Sequence, residues 1–89
     1  MAKRVLIVED HTDTRLMLAD LLSHWGYEVD TAVDGTQAIR HLSDPAPDLI
    51  TLDYNMPVMN GVQLLEKIRS TAGWTQIPVL VLSGSLEAP

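Results

Sequence analysis

Glu9 and Asp10 follow the apolar run Val5-Leu6-Ile7-Val8, Asp53 follows Leu49-Ile50-Thr51-Leu52, and Ser83 follows Pro78-Val79-Leu80-Val81-Leu82. Three carboxylates drawn within a few ångströms of one another repel, and one is pushed toward protonation unless a cation neutralises them. A hard divalent ion is the simple remedy. Oxygen ligation by few protein groups suits Mg2+, which keeps several waters and bridges carboxylates to phosphate oxygens. The residue types therefore predict a site that handles phosphate. Each has a plainer use when taken singly: Glu9-Asp10 as a helix cap, Asp53 as a solvated turn residue, and Ser83-Gly84-Ser85 as turn chemistry. What favours a site is that all four residues fall at the ends of strands, on one edge of one sheet.

That placement depends on the elements between them. Val5–Val8 reads as a parallel strand covered on both faces, ending abruptly in two acids. From Thr12 to Trp25 the residues Met17, Leu18, Leu21, Leu22 and Trp25 recur at helical spacing, and Gly26 stands where a left-handed C-terminal cap belongs. Tyr27-Glu28-Val29-Asp30-Thr31-Ala32 alternates with period two, as a strand near an edge does. Asp34, with Gln37 three residues on, opens a helix through Ala38, Ile39 and Leu42, which Asp44-Pro45-Ala46-Pro47 stops. Leu49–Leu52 is a third strand. Asn60-Gly61-Val62-Gln63 opens a third helix that turns Leu64, Leu65 and Ile68 inward, and Pro78–Leu82 is a fourth strand. The order βαβαβαβ predicts an α/β fold, a doubly wound parallel sheet with helices on both faces. Its functional crevice lies beyond the carboxyl ends of the strands.

Eighty-nine residues with 46% hydrophobic content allow one small domain, spanning 1–89 and near the size at which stability is marginal. A net charge of −6 lacks the basic footprint of a protein that grips nucleic acid directly. The absence of cysteine removes disulfides and thiolate metal sites and fits a reducing compartment, the cytoplasm. The basic start Met1-Ala2-Lys3-Arg4 leads into an apolar run too short for a signal-peptide core or a membrane span. His11, His24 and His41 have no ligand partners at useful spacing and read as surface residues. Trp25 and Trp74 read as covering the core near helix ends, and Met56 and Met59 as packing residues.

Val8-Glu9-Asp10, the run Asp53-Tyr54-Asn55-Met56-Pro57-Val58-Met59-Asn60-Gly61, and Ser83 beyond it together resemble the CheY-like receiver domain of two-component signalling. The resemblance covers nearly the whole chain, and it implies a flavodoxin-like fold. It also implies that Asp53 is the phosphoacceptor, taking a phosphoryl group from a sensor histidine kinase or phosphotransfer domain with Mg2+. Asp10 and Asp53 would then ligate the ion, Asn55 would offer its backbone carbonyl, and Glu9 would act through a water. Ser83 would contact a phosphoryl oxygen and relay the change by biasing two conformations. A domain of this kind is a signalling module rather than an enzyme, catalysing at most its own phosphorylation and dephosphorylation.

The family pattern continues after Ser83 with a helix, a fifth strand ending in a lysine, and a last helix, roughly 30 residues by ordinary element lengths. The sequence has no counterpart of these, so the receiver reads as C-terminally incomplete. Lys3 and Lys67 lie at the wrong places to replace that lysine. The Val79–Leu82 run would be an edge strand, prone to self-association. This leaves an alternative: a phosphorylation-deficient receiver that docks, sequesters or dimerises. A distant third reading is a phosphatase of the haloacid dehalogenase type, which places a second acid two residues after its aspartate, where this chain has Asn55.

Overall fold

Short, continuously apolar strands must be covered on both faces, and the helical crossovers of a parallel sheet provide that cover. The computed structural model describes residues 3–41, 46–53, 61–71 and 74–82. It contains β1 (Arg4–Val8), α1 (Thr12–His24), β2 (Glu28–Ala32), α2 (Gly35–Arg40), β3 (Leu49–Asp53), α3 (Gly61–Arg69) and β4 (Val79–Leu82). The four strands form one parallel sheet in the order β2-β1-β3-β4. The doubly wound expectation holds, and β2 occupies the edge that its alternating pattern indicated.

The register sorts side chains by face. Leu6 pairs with Ile50 and Val8 with Leu52. These four, with Ala32, pack against Ala38 of α2, Leu64 and Ile68 of α3, and Trp74 and Ile77 of the segment before β4. Leu65 and Ile39 are half-buried against the same cluster. Val5 and Ile7 have the opposite parity and belong to the side on which α1 lies against β1 and β2. Arg69 donates from Nη1 to the carbonyls of Thr75 and Ile77 at 3.0 and 2.9 Å, tying the end of α3 to the approach to β4.

The helix boundaries follow local chemistry. Asp34 Oδ1 accepts from the Gln37 amide at 2.8 Å, while Gln37 Oε1 accepts from the Val33 amide at 2.9 Å. The reciprocal cap read from the sequence is therefore formed, with the return bond one residue earlier than in the usual capping box. α2 ends at Arg40 with His41 as its C-cap, and Leu42 lies outside the described residues. Gly26 has φ of 95°, the left-handed conformation expected after α1.

α1 departs from expectation. The apolar positions 17, 18, 21, 22 and 25 span a wider arc than one sheet face covers, so Leu18 and Leu22 are half-buried while Met17 and the C-cap Trp25 are left 61% and 65% exposed, with Leu16 exposed as well. Leu21 is exposed with them, and no residue of α1 is fully buried. Trp25 thus does not cover the core, whereas Trp74 is buried as expected. No described helix is long and apolar enough to cross a membrane.

Candidate functional site

β1 and β3 run side by side, and Val8 pairs with Leu52. One residue further along each strand, the same register sets Glu9 beside Asp53 on one face of the sheet. Glu9 and Asp53 are buried, at 7% and 8% exposure, and Asp10 stands exposed at the rim. One carboxylate oxygen from each of the three lies within 4.8 Å of the others. The strand-end convergence predicted from spacing is therefore realised for Glu9, Asp10 and Asp53. Asn55 and Ser83 lie outside the described residues, as do Met56 and Met59.

The electrostatic consequence falls on Glu9. Burial raises its pKa above the ordinary 4.5, the His11 amide works against that rise, and a hydrogen bond with Asp53 and repulsion from Asp53 and Asp10 add to it. His11 N–H donates to Glu9 Oε2 at 3.1 Å, so the loop supplies one donor to the acid it carries. Three clustered carboxylates, one of them holding its proton more tightly than usual, form an all-oxygen donor set that a divalent cation can displace that proton to occupy. The chemistry of the residues fits Mg2+ or a similarly hard ion.

The loop between β1 and α1 is fixed by residues that the sequence reading did not single out. α1 is capped by His11, whose Nδ1 accepts from the Thr14 amide at 3.4 Å and lies 3.1 Å from Thr14 Oγ1. The Glu9-Asp10 pair is therefore not the cap, and its carboxylates are left for the cluster. Arg15 Nη1 donates to the Glu9 carbonyl at 3.1 Å. The available signal for Arg15 was a cation placed near the positive end of a helix, where the macrodipole disfavours it.

A family model described as the response regulator receiver domain matches residues 5–89. The transcriptional regulatory protein PrrA of Mycobacterium tuberculosis is 44% identical over 80 residues, which is 90% of this chain and 34% of that regulator. This chain thus spans about a third of the length of such relatives. The chemotaxis protein CheY4 of Vibrio cholerae superposes with a TM-score of 0.88 at 34% identity, covering 91% of this chain and 68% of that one. The receiver domain of a Pseudomonas aeruginosa sensor histidine kinase, in which a magnesium ion is coordinated in the active-site cleft, superposes with a TM-score of 0.88 at 26% identity. It covers 99% of this chain and 73% of that one. With its four-stranded parallel sheet and its acid cluster at the carboxyl ends of β1 and β3, the chain belongs to the response regulator receiver domain family.

Proposed function

We propose that the chain is a phosphoacceptor of a two-component phosphorelay, acting in the cytoplasm and receiving its phosphoryl group on Asp53 from a histidine kinase or phosphotransfer partner. The observation that carries this reading is the convergence of Glu9, Asp10 and Asp53 within 4.8 Å at the carboxyl edge of the sheet. An Asp53 carboxylate oxygen forms a bond to phosphorus as the bond from phosphorus to the donor's imidazole nitrogen breaks, and the leaving nitrogen keeps the electron pair. Little covalent chemistry is asked of the protein, so positioning and charge neutralisation dominate. Asp10 and Asp53 would hold Mg2+, with the Asn55 carbonyl, and Glu9 would contribute through a water. Bound there, the ion would offset the negative charge of the acids and the incoming phosphoryl oxygens. Glu9 and Asp53 form a buried floor to the cluster, and Asp10 is exposed at its rim. Ser83 would hydrogen-bond the transferred group.

The test is intact-mass spectrometry after incubation with MgCl2 and acetyl phosphate. The expected result is a labile gain of one phosphoryl group in the wild type that is lost in Asp53→Asn. An adduct that persists in Asp53→Asn, or none in a folded wild-type sample, would overturn the assignment.

A second reading, a domain that pairs with another copy through β4, is favoured by one observation. Leu80 is 52% exposed on a strand that is hydrogen-bonded to a described strand on one side only. Sedimentation should then show dimers that Leu80→Lys converts to monomers; a wild-type monomer at high concentration would dismiss it.

A further inference from the structure

The loop Glu9-Asp10-His11 must bring two acids toward a third against their mutual repulsion, so its backbone needs anchors. Glu9 N–H donates to the Ala32 carbonyl at 3.0 Å, continuing the β1–β2 ladder, and Arg15 N–H donates to the His11 carbonyl at 2.9 Å, starting α1. These two bonds hold the ends of the loop. The peptide between Glu9 and Asp10 is engaged by a side chain: Arg15 reaches back six residues and donates from Nη1 to the Glu9 carbonyl at 3.1 Å, in a partly buried contact. A cation near the amino end of a helix is disfavoured by the macrodipole. A charge-assisted hydrogen bond to a carbonyl beside an acid cluster offsets that cost.

We infer that Arg15 is a positioning residue of the site, whose guanidinium locks the Glu9 carbonyl and thereby holds the Glu9 and Asp10 carboxylates in place beside Asp53. The inference rests on the phosphoacceptor reading above. Arg15 exerts two opposed effects on a divalent ion. As a charge it repels the ion, and as a clamp it presents the ligands already gathered. The sign of a substitution therefore separates them. If the clamp dominates, removing Arg15 weakens Mg2+ binding; if only the charge matters, removing it tightens binding.

The experiment compares wild type, Arg15→Ala, Arg15→Lys and Arg15→Gln by calorimetric titration with MgCl2, by the rate of adduct formation with acetyl phosphate, and by thermal melting in EDTA. The expected result is about tenfold weaker Mg2+ binding in Arg15→Ala, the scale of one charge-assisted hydrogen bond. Adduct formation should slow in parallel, Lys should recover most of both, and melting in EDTA should differ little between Ala and Lys. Gln keeps a donor without the charge and serves in place of Ala if Ala does not fold; it should lie between Ala and wild type. Unchanged or tighter Mg2+ binding in Arg15→Ala would overturn the inference, and so would equal losses in Ala and Lys that track their melting temperatures. A wild type that neither binds Mg2+ nor takes the phosphoryl group would fell the phosphoacceptor reading and this role with it. A competent wild type matched by Arg15→Ala would fell the role of Arg15 alone.

Discussion

The two ends of the sheet handle their acids in opposite ways. At the amino edge, Arg4 gathers three of them: its Nη1 donates to Asp30 Oδ2 at 2.9 Å, its Nη2 lies 3.9 Å from Glu28 Oε2, and its backbone amide donates to Asp48 Oδ2 at 2.8 Å. The Asp48 amide returns a bond to the Arg4 carbonyl at 2.7 Å, so the cation also marks where β1 meets the approach to β3. At the carboxyl edge, Glu9, Asp10 and Asp53 face one another, and Arg15 binds the Glu9 backbone rather than a carboxylate. At one edge a cation of the chain itself lies among the acids and serves the fold. The other holds a repulsion that favours a cation from solution, and it is the edge where parallel sheets carry their function. Acid content alone distinguishes neither; the partner of each acid does.

The comparison sharpens first under pH. The raised pKa of Glu9 means that the folded state holds a proton more tightly than the unfolded chain, whose carboxyl titrates near 4.5. The stability this contributes is fully present below pH 4.5 and is lost as pH rises through the raised value. Mg2+ affinity would run the other way, because a protonated Glu9 no longer offsets the charge of an ion held beside it. Calorimetric titrations at descending pH should lose up to about tenfold in affinity per pH unit once Glu9 protonates. Glu9→Gln should flatten that profile, and a profile that is equally steep in the variant would assign the proton elsewhere.

A smaller effect is expected at the opposite edge. Arg4→Met should destabilise the fold by about 1 kcal/mol, the scale of partly exposed ion pairs, and leave Mg2+ affinity unchanged. Chemical denaturation and the same titration check both halves. A change in Mg2+ affinity would show that the two edges are coupled through β1 and would break the contrast.

The legible part of this molecule was its periodicity and its strand ends. Val5–Val8 and Leu49–Leu52 could be read because buried parallel strands tolerate few polar residues, and Asp34, Gln37 and Gly26 could be read because caps demand particular side chains or a positive φ. The convergence of Glu9, Asp10 and Asp53 was legible from the strand ends, whereas the register that sets Glu9 beside Asp53 comes from the structure. The orientation of α1 was not legible. Apolar residues at 17, 18, 21, 22 and 25 give two adjacent lines, and only the packing shows that Leu18 and Leu22 turn inward while Met17 and Trp25 do not. Arg15 was missed for a different reason. Its partner is a backbone carbonyl, which leaves no mark on side-chain patterning.

The most direct test of the account is the thermal melting of wild type and Asp10→Asn, each in EDTA and in MgCl2. Without a cation, removing one charge from a self-repelling cluster relieves strain, so the variant should melt higher than wild type. With MgCl2 at about a hundredfold excess over Kd, bound ion should add about 2.7 kcal/mol to wild type and much less to the variant, reversing the order. The account predicts that crossing. Wild type more stable than Asp10→Asn in EDTA, or no rise with MgCl2, would contradict the view that the carboxyl edge is a cation site held open by its own repulsion.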